Sequence, residues 1–178
     1  MPESSSPRIP LWALVASGAA IVLGLALLKD HRARAPSERA PQISLPRLDG
    51  QKQELKPGAV TVIDFWATWC APCRSSMPHV QSVFHDYTPR GVTLFSIESD
   101  IEHNDRDPSV REFLFQNHLD FPVALDDGTA EDAFPVSALP TMVVVAKDGS
   151  VAWRHVGGIG AMEERELRRV LDDALAQK

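Results

Sequence analysis

One stretch limits what this chain can fold into: residues 60–74, reading V-T-V-I-D-F-W-A-T-W-C-A-P-C-R. A β-branched apolar run (Val60, Thr61, Val62, Ile63) leads through Phe65 and Trp66 to Cys70 and Cys73. Beyond Cys73 the apolar spacing becomes helical, with Met77, Val80, Phe84 and Tyr87 on one face. A buried strand therefore runs into a helix, with a Cys-x-x-Cys pair at the junction. The unpaired N–H groups and dipole of a helix start favour an anion. A thiolate at Cys70 gains from both, and such cysteines have pKa values lowered to roughly 3.5–7.5. Cys73, one turn further on, can close a disulfide or resolve a mixed one. Pro72 fits the first turn, where an N–H has no helical partner to lose.

Other uses of the motif fare worse. A zinc site needs two more ligands, and the chain has no third cysteine. A purely structural disulfide would close too small a loop to constrain the unfolded chain much. A redox dithiol is the favoured reading. With 178 residues and only these two cysteines, the chain has room for one ordinary domain plus an appendage and is not a disulfide scaffold. Basic residues are scattered and no nucleic-acid motif occurs. From Ala40 onward 13 basic residues face 21 acidic ones, a net charge near −8.

Residues 9–28 carry no charge over twenty positions, close to the length that crosses a bilayer. Trp12 suits an interfacial position, and Lys29, Asp30, His31 and Arg32 end the run. The expected organisation is a short tail (1–8), a transmembrane anchor (9–28), a proline-bearing linker (29–41) and a folded domain (42–178). A cleaved signal peptide is the competing reading, with Ala33-Arg34-Ala35 as its cleavage-like site. Charge sets a conflict. Lys29, Arg32, Arg34 and Arg39 outnumber Arg8, which by the positive-inside rule puts the domain in the cytoplasm.

Along the domain, residues 42–55 read as a hairpin turning at Leu48-Asp49-Gly50-Gln51. Strands are expected over 92–97, 121–125, 142–146 and 151–156, with a hairpin turn at Lys147-Asp148-Gly149-Ser150. Residues 100–107 read as an acidic loop. Helices are expected over 110–117, with Val110, Phe113, Leu114 and His118 inward, over 129–134, and over 163–176, with Leu167, Val170, Leu171 and Ala174 inward. The order reads β-β-α-β-α-β-α-β-β-α, an α/β sheet with an antiparallel edge pair. Pro140, directly before a core strand, can be cis.

Taken together, V-I-D-F-W-A-T-W-C-A-P-C, the helix proline Pro78 and Leu139-Pro140-Thr141 resemble the thioredoxin superfamily over residues 43–175. The apolar N-terminal run, the extra hairpin and the insert at 101–125 are similar to its membrane-anchored TlpA/ResA/CcmG group. That resemblance implies a thioredoxin-like α/β fold, a central mixed sheet flanked by helices with an N-terminal hairpin and a single transmembrane helix. It implies a thiol:disulfide oxidoreductase acting outside the cytoplasmic membrane, against the charge rule. Protein disulfides are its substrates, apocytochrome c among them, and its electrons come from a membrane protein of the CcdA/DsbD type. No cofactor beyond the Cys70–Cys73 disulfide and no metal is expected. Cys70 is the nucleophile and Cys73 the resolving thiol. Asp64 matches the superfamily's buried aspartate and Glu98 the thiol-adjacent glutamate of ResA-like proteins, so either can relay the proton. Trp69, Ala71, Pro72, Leu139 and Pro140 are the expected substrate-binding residues. An oxidase that donates its disulfide and a non-enzymatic metal chaperone are the rival readings; the chaperones use a wider Cys spacing plus a His ligand.

Overall fold

The computed structural model describes residues 38–101 and 106–177. The expected anchor at 9–28 and most of the linker at 29–41 lie outside them. Among the described residues no helix is long and apolar enough to cross a membrane.

Strand β3 (Val60–Trp66) is buried at all seven positions, as its unbroken apolar run requires. It lies at the centre of a five-stranded sheet of order β5-β4-β3-β6-β7. On one side it pairs in parallel with β4 (Val92–Glu98), and β4 with β5 (Val123–Leu125). On the other it pairs antiparallel with β6 (Thr141–Val145), which turns through Lys147–Ser150 into the edge strand β7 (Val151–Val156). Strands β1 (Ser44–Pro46) and β2 (Lys52–Glu54) form a separate antiparallel hairpin. The observed order is therefore β-β-β-α-β-α-β-α-β-β-α, one strand more than the sequence reading gave, because both hairpin strands precede β3.

Strand alternation splits the core in two. Val62, Trp66, Leu94, Met142 and Val144 face helices α1 (Ala71–Tyr87), α2 (Arg106–Gln116) and α4 (Ala161–Ala176). Ile63, Phe65, Phe95, Ile97 and Val143 face α3 (Thr129–Ala133) and the hairpin residues Ile43, Leu45 and Leu55. Leu48 N–H donates to Val123 O at 3.0 Å, tying the hairpin to β5.

Three details depart from the expected pattern. Helix α2 already includes Arg106 and Asp107, which fall inside the expected acidic loop, and Arg106 donates to the carbonyls of Asp100 and Asp126 just past the ends of β4 and β5. His118 is exposed past the end of α2 at φ 53° and is not on its inner side. On α1 the buried face runs through Ser76, Met77, Val80, Val83 and Tyr87, leaving Phe84 half-buried.

The packing of α4 on the sheet supplies a direct test. Leu171 is fully buried against the α1 side of the core. Leu171→Ala will lower unfolding stability by about 2–5 kcal/mol. Phe115→Ala, at a position 79% exposed, will change it by less than about 0.5 kcal/mol. Urea titrations followed by circular dichroism read both.

Candidate active site

Cys70 is the N-cap residue of α1, with extended backbone (φ −75°, ψ 103°). Its Sγ accepts the Cys73 N–H at 3.2 Å, filling one of the orphan donors of the helix start. Its carbonyl accepts from Arg74 N–H at 3.1 Å. Cys70 and Cys73 form a disulfide with Cα atoms 5.2 Å apart. Both are buried, whereas Trp69, Ala71 and Pro72 beside them are exposed. The sulfur that caps α1 is the one whose thiolate the helix end would stabilise.

Strand register brings the remaining predicted residues to this end of the sheet. Trp66, four residues before Cys70, pairs with Glu98 on β4. Phe65 pairs with Thr141 on β6, so Pro140 arrives beside Trp66 from the other side. The Leu139–Pro140 bond is cis, and Pro140 is buried, its carbonyl accepting from Gly157 N–H at 2.9 Å. Leu139 is half-buried.

The two candidate acids occupy different environments. Asp64 lies on the α1 face of β3, paired with Ser96 and Met142. It is 2% exposed, and its Oδ2 has no hydrogen-bond partner. Burial raises its pKa to about 7, since nothing nearby compensates the ionised form. Glu98 is fully buried and engaged. Its Oε1 accepts the Asp100 N–H at 3.3 Å, and its Oε2 lies 3.8 Å from Arg106 Nη1. Arg106 also donates to the carbonyls of Asp100 and Asp126.

Sequence reasoning passed over the loop that braces the Cys-x-x-Cys turn. Ser76 Oγ donates to Pro72 O at 2.8 Å and accepts Ile159 N–H at 2.9 Å. A Cβ on Gly158 would meet Pro72 O and Ser76 Oγ at 3.3 Å, so close approach calls for glycine here. The Gly157-Gly158-Ile159-Gly160 run after a strand was the available signal. His79 and His85 have the x5 spacing of a zinc pair, but Glu164 and Asp120 occupy them at 2.5 and 2.9 Å. Among the described residues no His/Cys/Asp/Glu group is arranged to hold a metal.

Comparison with known proteins places this geometry. Residues 35–171 match the Redoxin family. The chain is 32% identical over 153 residues to the thiol-disulfide oxidoreductase ResA of Bacillus anthracis, covering 84% of this chain and 86% of that one. It is 29% identical to the thioredoxin-like protein YneN of Bacillus subtilis, covering 76% and 78%. A crystal structure of a thiol:disulfide interchange protein of the thioredoxin family from Chlorobium tepidum superimposes with a TM-score of 0.69 at 26% identity, covering 81% of this chain and all of that one.

The raised pKa of Asp64 has a measurable consequence. Between about pH 4 and pH 7 the unfolded chain has lost the Asp64 proton and the folded chain still holds it, so stability falls as pH rises through that window. At full linkage the loss is on the order of 4 kcal/mol. In Asp64→Asn that part of the slope will disappear, and the oxidised variant will be the more stable protein at pH 8. Urea midpoints of both oxidised proteins from pH 4 to 8 check this.

Proposed function

The chain belongs to the Redoxin family, and we propose that it works as a membrane-tethered thiol:disulfide reductase of the ResA type. It is an enzyme, a thiol:disulfide oxidoreductase whose substrates are protein disulfides. The observation that carries the reading is the disulfide at the start of α1, with its first sulfur capping the helix, next to the cis-Pro140 loop.

In the reductive direction the Cys70 thiolate attacks one sulfur of a substrate disulfide. The substrate S–S bond breaks, a Cys70–substrate bond forms, and the other substrate sulfur leaves as thiolate and takes a proton from water. Cys73 then gives its proton to a base and attacks Cys70 Sγ. That step forms the Cys70–Cys73 disulfide and releases the second substrate thiol. Two electrons have passed from the dithiol to the substrate. A membrane electron donor of the CcdA/DsbD type restores the dithiol.

Asp64 is the preferred base. Its pKa of about 7 suits proton transfer near neutral pH, and it lies on the sheet face that α1 covers, where Cys73 is buried. Glu98 has Arg106 and the Asp100 N–H to hold its carboxylate and is assigned a positioning role. The exposed Trp69, Ala71 and Pro72 and the Leu139–Pro140 backbone receive an extended substrate segment. The uncharged run at 9–28 anchors the domain on the extracytoplasmic side of the membrane, and apocytochrome c is a candidate substrate there.

Several measurements test this. Cys70→Ser will abolish insulin disulfide reduction. Cys73→Ser will accumulate mixed disulfides on Cys70, identifiable by mass spectrometry. Asp64→Asn will slow the resolving step by about 10²–10⁴-fold, and Glu98→Gln by less. A reduction potential near that of thioredoxin, about −270 mV, supports a reductase, and one near about −120 mV marks an oxidase. A reporter fused after Lys178 that works only in the cytoplasm would refute the topology.

A further inference from the structure

Strand β4 is paired unevenly. On its β3 side every residue from Val92 to Glu98 has a register partner. On the other side β5 covers only Ser96, Ile97 and Glu98, so residues 92–95 carry no strand along that edge. An open edge of this kind is a template on which a further strand can pair. The Leu94 carbonyl faces the open side, since it accepts from Gln53 Nε2 at 2.7 Å. By the two-residue period of a strand, Val92 turns its backbone groups the same way.

The edge borders an open groove of about 1040 Å³. Val92 pairs with Val60 and Glu98 with Trp66, so the groove lies at the end of the sheet away from the disulfide. Its two sides differ. Phe84, Val92, Leu94 and Pro122 make one side apolar. The hairpin side presents Arg47, Lys52 and Lys56 against one acid, Glu54. That is a local excess of positive charge in a domain where, from Ala40 onward, 13 basic residues face 21 acidic ones. Arg47 is paired with Asp49 at 2.6 Å. Lys52 and Lys56 are exposed and, among the described residues, have no ion-pair partner. Lysines on an edge strand itself discourage pairing. Here they flank the edge, whose own residues Val92, Thr93 and Leu94 are uncharged.

A buried group also lacks its partner. Gln53, in the lining of the groove, is 9% exposed, and its Oε1 is buried with no hydrogen bond. Its amide stands where a peptide group of an added strand would, giving Leu94 O a donor and lacking one of its own.

We infer that the open edge of β4 docks an extended, acidic polypeptide segment of a partner protein as an added strand, its apolar side chains toward Phe84 and its carboxylates toward Lys52 and Lys56. Alternation of side chains along a strand puts the two kinds on opposite faces. A partner held there leaves the Cys70–Cys73 end uncovered, and the tether raises the effective concentration of whatever else that partner presents.

The test uses the oxidised full chain in neutral detergent and a fluorescein-labelled, cysteine-free peptide of alternating Glu and Val, read by fluorescence anisotropy. Binding will be saturable and will weaken at about 1 M salt. The double variant Lys52→Glu/Lys56→Glu will lower affinity about tenfold. Arg165→Glu/Arg169→Glu, the same charge change at exposed positions on α4 outside the groove, will leave it unchanged. The same peptide N-methylated at alternate residues keeps its charge but loses strand pairing, and will bind at least tenfold more weakly. No saturable binding of the acidic peptide would overturn the inference. So would equal binding of the N-methylated form, undiminished affinity in a folded Lys52→Glu/Lys56→Glu, or an equal loss in the α4 variant. Because the peptide has no thiol and the protein is oxidised, none of these outcomes bears on the oxidoreductase reading.

Discussion

Everything at the active site depends on one junction, the end of a fully buried strand meeting the start of a helix. Strand β3 is held on both edges, by seven register pairs to β4 and five to β6. The point where the chain leaves the sheet is thereby fixed. Residues 67–70 turn over its end, and Cys70 takes the cap position of α1. A helix start presents unpaired N–H groups wherever it occurs. Here one of them already points at the sulfur, before any charge develops on it. The environment that stabilises a thiolate is built into the backbone.

The same sheet separates two buried acids that sit only one strand apart. Both lie on the α1 face of the sheet, Asp64 level with Ser96 and Glu98 level with Trp66. Glu98 reaches the strand end, where the Asp100 N–H and Arg106 can stabilise its charge. Asp64 lies two residues deeper, where burial alone acts on it. Burial disfavours the ionised form of Asp64, whereas Glu98 has an N–H and a guanidinium within reach, so two side chains of the same chemistry meet different surroundings. The cost of burying Asp64 is carried by an otherwise apolar layer, Val62 and Trp66 on its own strand and Met142 beside it.

Support for the Cys-x-x-Cys turn comes from segments distant in sequence. The Gly157–Gly160 loop joins β7 to α4 and is pinned to the first turn of α1 through Ser76. Pro140 enters from β6, and its carbonyl is tied to the same glycine loop at Gly157. The hairpin packs Ile43, Leu45 and Leu55 on the opposite face, while Leu48 at its turn packs against the α1-side core. Both sulfurs are buried at this end of the sheet, with the exposed Trp69, Ala71 and Pro72 beside them.

Residues 60–74 alone fixed the strand, the helix and the dithiol, because hydrophobic period and helix-start chemistry are local properties of the chain. The hairpin turn at Leu48–Gln51, the closing helix and the possibility of a cis bond at Pro140 were legible for the same reason. Long-range packing decided the rest. The side chain of Arg106, on α2, finds the carbonyls of Asp100 and Asp126, just past the ends of two different strands, a contact that no local pattern announces. Ser76 and Gly158 gained their positions from a contact between residues more than eighty apart in the chain. Asp64 and Glu98 look alike in sequence, one acid in each of two apolar runs. Their difference rests on which buried partner the folded sheet brings within reach, a fact of three-dimensional desolvation that no local pattern encodes.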